Sequence, residues 1–366
     1  MTQTIVLTYI IARLKKGFNK AMTKLFNKAA VFTDVHFGKK NNNRQFNIDC
    51  ENFIHWFVDE ATAWGADVCI MMGDWHDNRR FINVSTLNYS LSNLELLDKT
   101  FGQTFFILGN HDLYYREKRE INSVEFARNL KRTQIVNEIM TIGDCSLVPW
   151  LVGDEYKEVK KLECKYMFGH FELPTFLMNA MAEMPDKGEL YAADLNKPEY
   201  VFSGHFHKRQ QKENIWYIGS PFPHNFSDTW DFERGMMFLE WGKEPFFKTW
   251  PEQPVYINVR LSEIINEPEK YINKYTSAKI VADVDLSYEE AQFLRETFLE
   301  QYGAREITVI PEQKSVDDTQ FTLDNSTFKT VDQIVIEGLS SIETTEGAID
   351  HKLLIELYNG LDIDSH

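Results

Sequence analysis

Cysteine is scarce in this chain, with four in 366 residues at positions 50, 69, 145 and 164 and no C-x-x-C spacing. That argues against a disulfide framework and against a thiolate metal site, and it fits a reducing cytoplasm. Cationic residues are also in deficit. Lys and Arg number 39 against 55 Asp and Glu, for a formal net charge of −16. A free-standing nucleic-acid binder is opposed by that balance, because contacts to phosphate need Lys and Arg. No apolar run approaches the roughly 20 residues that span a bilayer. The segment IVLTYIIA near the N-terminus precedes Arg13, Lys15 and Lys16, the reverse of the order in a signal peptide. Repeats and low-complexity tracts are absent.

Hydrophobic residues make up 43% of the chain and aromatics 14%, enough to bury more than one core. Five short apolar runs read as buried strands: KAAVFT, DVCIMM, TFFIL, CKYMF and YVFS. A polar cluster follows each one. In order these are DVH (Asp34 to His36), GDWHD (Gly73 to Asp77), GNHD (Gly109 to Asp112), GHFE (Gly169 to Glu172) and GHFH (Gly204 to His207). Five strand ends thereby deliver Asp, Asn and His to one sheet edge. Carboxylate, amide and imidazole suit a hard or borderline divalent ion. Alternation along an extended chain would let Asp34 converge with His36, and His205 with His207. Asp74 and Asn110 each follow a glycine, which permits a sharp turn and a close approach to metal or phosphate. The seven candidates Asp34, His36, Asp74, Asn110, His170, His205 and His207 are too many for one ion. Two ions roughly 3.5–4 Å apart, sharing a carboxylate, would use them all and clamp both oxygens of a phosphodiester exchange.

This ordered set resembles the calcineurin-like metallophosphoesterase superfamily, whose pattern is D-x-H, G-D, G-N-H-D/E, a lone H and G-H-x-H. The resemblance implies an α/β fold, a four-layer sandwich of two mixed sheets flanked by helices. It implies that Asp34, His36, Asp74 and His207 hold one ion and that Asp74, Asn110, His170 and His205 hold the other. His111 would face the scissile phosphate as a catalytic group, with Asp112 available to orient it. The nucleophile would be a metal-bound hydroxide. Mn²⁺ is the metal the family suggests, although such ligands also accept Mg²⁺, Fe²⁺ or Zn²⁺. His55, His76, His351 and His366 read as satisfied core or surface histidines, with His76 packed near the site. His224 either lines the cleft or caps a loop. Cys69 and Cys164 read as small buried hydrophobes.

Within the superfamily the chain is similar to the SbcD type of nuclease subunit over roughly residues 25 to 310. The similarity rests on D-x-H-x-G, on GDWHDNR, and on the IGSP at Ile218 to Pro221 followed by FERGMMF. It implies a DNA endo/exonuclease of recombination, repair or replication in a bacterial or phage-infected cytoplasm. It also implies homodimerisation through the phosphoesterase domain and an SMC-like ATPase of the SbcC type as partner. The implied organisation is an N-terminal extension (1–24), a nuclease domain (25–250), a capping domain (251–311), a linker (312–329) and a helical partner-binding tail (330–366). Met22 stands beside Met1 as a candidate start, since MTKLFNKAAVFTDVHFG is a typical family opening. The loop FSDTWDFERG is acidic where DNA-binding charge would be expected. Basic residues cluster just after the metal motifs, and Lys39, Arg79, Arg116 and Lys208 are the candidates for DNA contact. Solubilising loop charge is the competing reading. Two other function classes compete: a calcineurin-like phosphatase or phosphodiesterase on non-DNA substrates, and a noncatalytic scaffold, which the full ligand set disfavours.

Local signals place helices as well. Phe53, Phe57, Ala61 and Trp64 recur at helical spacing ahead of Gly65. Ser287 and Glu290 make a capping box for a helix over about 288–302, ended by Gly303. That helix lies between the strand-like AKIVADVDL and EITVIP, and VYINVRL precedes them, so 255–311 reads as a β-α-β-α-β unit. Ile349, Leu353 and Leu357 share one helical face in the tail.

Overall fold

A computed structural model of the chain describes residues 24–178 and 183–312. The expected N-terminal extension, linker and helical tail lie outside the described residues, apart from Lys24 and Glu312 at their margins. Two six-stranded sheets dominate. The first has the spatial order Phe246–Thr249, Gly235–Glu240, Lys28–Phe32, Val68–Met71, Gln103–Ile107 and Thr133–Val136. Its last four strands are parallel, and its first two return antiparallel as a hairpin. The second runs Gln210–Lys212, Ile215–Tyr217, Tyr200–Ser203, Tyr166–Gly169, Cys145–Val148 and Met140–Ile142. Four parallel strands form its middle, with an antiparallel strand at each edge.

Register aligns the ends that matter. Phe32, Met71 and Phe106 lie side by side, as do Gly169 and Ser203. The loops that leave these strands therefore start at one level, and in open parallel sheets the carboxyl ends are where ligands gather.

Burial follows the two-face logic of a sheet. Ala30, Phe32, Cys69, Met71 and Phe106 pack outward against Phe46, Phe53, Phe57, Leu94 and Leu97. Those partners lie on the helices Arg44–Trp64 and Val84–Thr100. The first helix starts at Arg44, well ahead of the periodic stripe that begins at Phe53, because the Asn43 side chain caps it by accepting from the Phe46 N–H. Gly65 ends it at φ 80, the left-handed geometry that suits glycine. Between the sheets, Val31, Ile70 and Ile107 meet Tyr166, Phe168 and Phe202. On the far face, Met167, Val201 and Tyr217 pack on Phe171, Phe176, Leu190 and Leu195. Among the described residues this fourth layer is mostly loop, with only four-residue turns at Tyr156–Val159 and Ala192–Leu195.

A third sheet joins Val255–Arg260, Thr276–Ala282 and Glu306–Pro311, all parallel. Tyr288–Glu300 packs on it through Phe298. The reciprocal Ser287 and Glu290 bonds start this helix. Asp49 on the first long helix receives both guanidinium nitrogens of Arg305, at 2.6 and 2.9 Å. Lys40 donates to the Tyr256 hydroxyl at 2.7 Å. The small sheet is thus tied to the loop that follows His36.

Candidate metal centre

Backbone geometry, more than strand alternation, aims the ligands. Asp34, His36, Asp74 and His205 have φ of 54, 56, 58 and 84, all left-handed. Such conformations cost roughly 1–3 kcal/mol each for residues with a Cβ, and they cluster at functional sites. The strand Lys28–Phe32 ends before Asp34, so Asp34 and His36 converge through a tight turn and not through a pleat. His205 and His207 do not converge at all, which corrects the alternation expectation: they point to opposite sides of Asp74. Glycine makes room for this crowding. A Cβ on Gly73, itself at φ 98, would lie 2.5 Å from His170 Nδ1, and one on Gly109 would lie 2.3 Å from Asp74 Oδ1.

The seven expected ligands fall into two groups around Asp74. On one side, His36 Nε2 lies 3.2 Å from His207 Nε2 and 3.8 Å from both Asp34 Oδ1 and Asp74 Oδ2. On the other, Asp74 Oδ2 lies 3.4 Å from His170 Nε2. The Asn110 side-chain oxygen sits 3.1 Å from that same nitrogen and 2.9 Å from His205 Nδ1. Asp34–His36–Asp74 and Asp74–His170–His205 each offer ligand atoms within 4.8 Å of one another. Asp74 is common to both.

A calcineurin-like phosphoesterase family model matches residues 28–209, which span every one of these strand ends. The chain carries a calcineurin-like phosphoesterase domain. Exonuclease subunit 1 of Enterobacteria phage T4 is 26% identical over 292 residues, covering 68% of this chain and 82% of its own length. A dimetal phosphatase from Danio rerio superposes with a TM-score of 0.37 at 12% identity, over 61% of this chain and 95% of its own. The nuclease MPE of Pseudomonas putida gives 0.24 at 16% identity, over 49% and 61%. Both superpositions are too distant to bear on function. The domain makes this chain a metal-dependent phosphoester hydrolase.

Its donor set fits divalent cations. Buried lone-pair donors converge with few protons between them, and a cation resolves that arrangement. Partners behind the ligands fix ring orientation, as metal-binding histidines require. His170 Nδ1 donates to the Met72 carbonyl at 2.7 Å, leaving Nε2 free. Glu172 Oε1 stands 3.4 Å behind His205 Nε2, while its Oε2 accepts from Lys187 Nζ. Asp77 Oδ1 is 3.3 Å from His36 Nδ1 and 3.0 Å from Lys39 Nζ. Neither Glu172 nor Asp77 stood out as a supporting residue in the sequence, although each sits inside a metal motif.

His111 is half-buried; its backbone N–H donates to Asp74 Oδ1 at 2.8 Å and its Nδ1 to the Asp77 carbonyl at 2.6 Å. Asp112 does not orient it, which corrects that expectation. The Asp112 carboxylate is fully buried and accepts the backbone N–H groups of Asp74, Trp75 and Gly109 at 2.9–3.0 Å. Three polar donors with no other partner draw it inward, so it is a positioning residue for two metal loops. His76 packs beside the site as expected, bonded to Ser90 and Ser123.

Burial and neighbouring charges shift the titration of the groups that line the phosphoesterase site. Burial, with Asp74 beside it, pushes Asp34 up to about 7. Burial also acts to raise Asp74, but His170 and His111 outweigh it and hold Asp74 well below the carboxylate range. Burial opposes the His170 imidazolium, yet Asp74 and Asp34 lift it to about 9. Burial, reinforced by Lys39, lowers His36 to about 4. Burial and the neighbouring imidazoles hold His207 and His224 well below the usual histidine value.

The basic clusters divide into structural and accessible residues. Lys40 is spent on Tyr256, Arg119 on Glu155 and the Trp150 carbonyl, and Arg209 on the Phe247 ring at 4.2 Å. Lys39 is paired with Asp77. Arg79 is half-buried and close enough to Arg116 and Asp74 to feel both charges; Arg116 is exposed and Lys208 half-buried. The acidic loop is partly neutralised, since Asp228 and Asp231 pair with the fully buried Arg234. The four cysteines are buried and form no disulfide. No described helix is long and apolar enough to cross a membrane.

Proposed function

We propose that this hydrolase is a two-metal DNA nuclease subunit that works with an SMC-like ATPase. The observation that carries the reading is the shared Asp74, whose carboxylate faces a ligand group on each side. Asp34, His36, Asp74 and His207 would hold one ion, and Asp74, Asn110, His170 and His205 the other, with Mn²⁺ the preferred metal. Bound ions would polarise the phosphate and lower the pKa of a water. The chain's own residues do the rest. Asp74 and Asn110 set the spacing of the two sides. His111, held through Nδ1 by the Asp77 carbonyl, presents Nε2 to the leaving oxygen and, as the imidazolium, gives it the Nε2 proton as the P–O bond breaks, leaving a neutral imidazole. Arg79, Arg116 and Lys208 border the mouth and contact the DNA backbone, with Lys39 acting through Asp77.

DNA is favoured as substrate by the likeness to an exonuclease subunit over most of its length. A net charge of −16 argues that another protein brings the DNA. Residues 251–311 would form a capping domain over the nuclease domain, and 330–366 would bind the ATPase. A homodimer through the phosphoesterase domain in a bacterial or phage-infected cytoplasm completes the reading.

The test is cleavage of linear and hairpin DNA, beside a chromogenic phosphodiester, by the full chain with Mn²⁺, with and without a cognate ATPase. Asp74→Ala serves as the control. DNA cutting that vanishes in the control supports the nuclease. Ester hydrolysis with no DNA cutting under either condition favours a phosphatase.

A further inference from the structure

His224 is a fully buried histidine whose two ring nitrogens have no hydrogen-bond partner. A neutral imidazole carries one donor and one acceptor, and leaving both unmade in the interior forfeits their hydration with no return. Phenylalanine would fill such a position without that penalty, and two already wall it: Phe46 and Phe222, with ring centroids 5.4 Å away. Two imidazoles also face it. His207 lies at 4.7 Å and His36 at 5.3 Å, both edge-on. His36, His207 and His224 each offer a ligand atom within 4.8 Å of the others.

The loop bearing His224 is built against the GHFH turn. The His224 backbone N–H donates to Asp228 Oδ2 at 2.9 Å, and Asp228 Oδ1 accepts from Arg234 at 3.2 Å. Arg234, fully buried, also donates to the His207 carbonyl and to Ser220 Oγ. One guanidinium therefore locks the backbones that carry His207 and His224.

We propose that His224 is an eighth ligand residue, a third imidazole for the ion held by Asp34, His36, Asp74 and His207. The inference rests on the two-metal reading above. It makes the two sides chemically unlike: three imidazoles and two carboxylates on one, two imidazoles, an amide and the shared carboxylate on the other. The imidazole-rich side then selects a borderline ion such as Mn²⁺, Fe²⁺, Co²⁺ or Zn²⁺ over Mg²⁺ more strongly than its neighbour does.

Two measurements on the full chain test this. Titration with Co²⁺ compares the wild type with His224→Phe, which keeps the volume and removes the nitrogens. The expected result is two ions in the wild type, and in the variant one ion bound as before with the other weakened at least about tenfold, the lower end of what losing even a supporting partner costs. Unchanged affinity at both sites overturns the proposal. Should the variant fail to fold, the wild type answers alone. Loaded with ¹¹³Cd and labelled with ¹⁵N-histidine, it shows five histidines coupled to cadmium if His224 ligates. Four coupled histidines with two ions bound overturn the proposal and leave the two-metal reading standing. Fewer than two bound ions overturn both.

Discussion

The two sides of Asp74 use similar residue types in different surroundings. The Asn110–His170–His205 side is wired from behind: His170 is held by the Met72 carbonyl, and His205 is backed by Glu172. The Asp34–His36–His207 side is drier, with Phe46 and Phe222 around His224 and only Asp77 behind His36. One side is oriented by hydrogen bonds to its rings, the other by packing of its rings and by the backbone bonds of Arg234 and Asp228. The contrast teaches that seven similar ligands need not make two equivalent ion sites, and that each side carries its own proton.

The largest expected effect ignores the contrast and thereby bounds it. His111→Ala should lower kcat by about 10²- to 10⁴-fold, the usual worth of a positioned acid, while metal titration still finds both ions; loss of either ion would make His111 a ligand. Asp112→Ala should act on both sides together. It leaves three buried N–H groups unpaired, so chemical denaturation should show a loss of about 3 kcal/mol and metal titration a weakening at both sites. Glu172→Gln should split the sides. The ion beside His205 should weaken by about 10- to 100-fold while the other is retained, read by calorimetric titration.

The last test is of pH. A ligand binds metal only after losing its proton, so a raised pKa delays binding to higher pH. Asp34, at about 7, should make affinity on its side rise about tenfold per pH unit and level off above 7. His170, at about 9, should keep the other side rising until about 9. Two superimposable profiles would remove the contrast.

Much of this site was legible from local pattern. Each of Asp34, His36, Asp74, Asn110, His170, His205 and His207 follows an apolar run, and a strand end is a local event that apolar spacing reveals. The capped helices at 44–64 and 288–300 were legible for the same reason. The partners were not, because Glu172, Asp77 and Arg234 acquire roles only through contacts made by folding. Asp112 looked catalytic beside His111, yet three N–H groups from two loops claim it. Lys40, Arg119 and Arg209 belong to the basic clusters that follow the metal motifs, yet each is bound to a structural partner tens of residues away or more. His205 and His207 read as one arm by alternation, whereas left-handed φ at His205 sends them to opposite sides of Asp74.

Anomalous diffraction from crystals of the full chain soaked in Mn²⁺ tests the centre most directly. Two peaks roughly 3.5–4 Å apart, one on each side of the Asp74 carboxylate and both bonded to it, are the expected result. A single peak, or two peaks that do not share Asp74, would contradict a two-ion site built on that bridge.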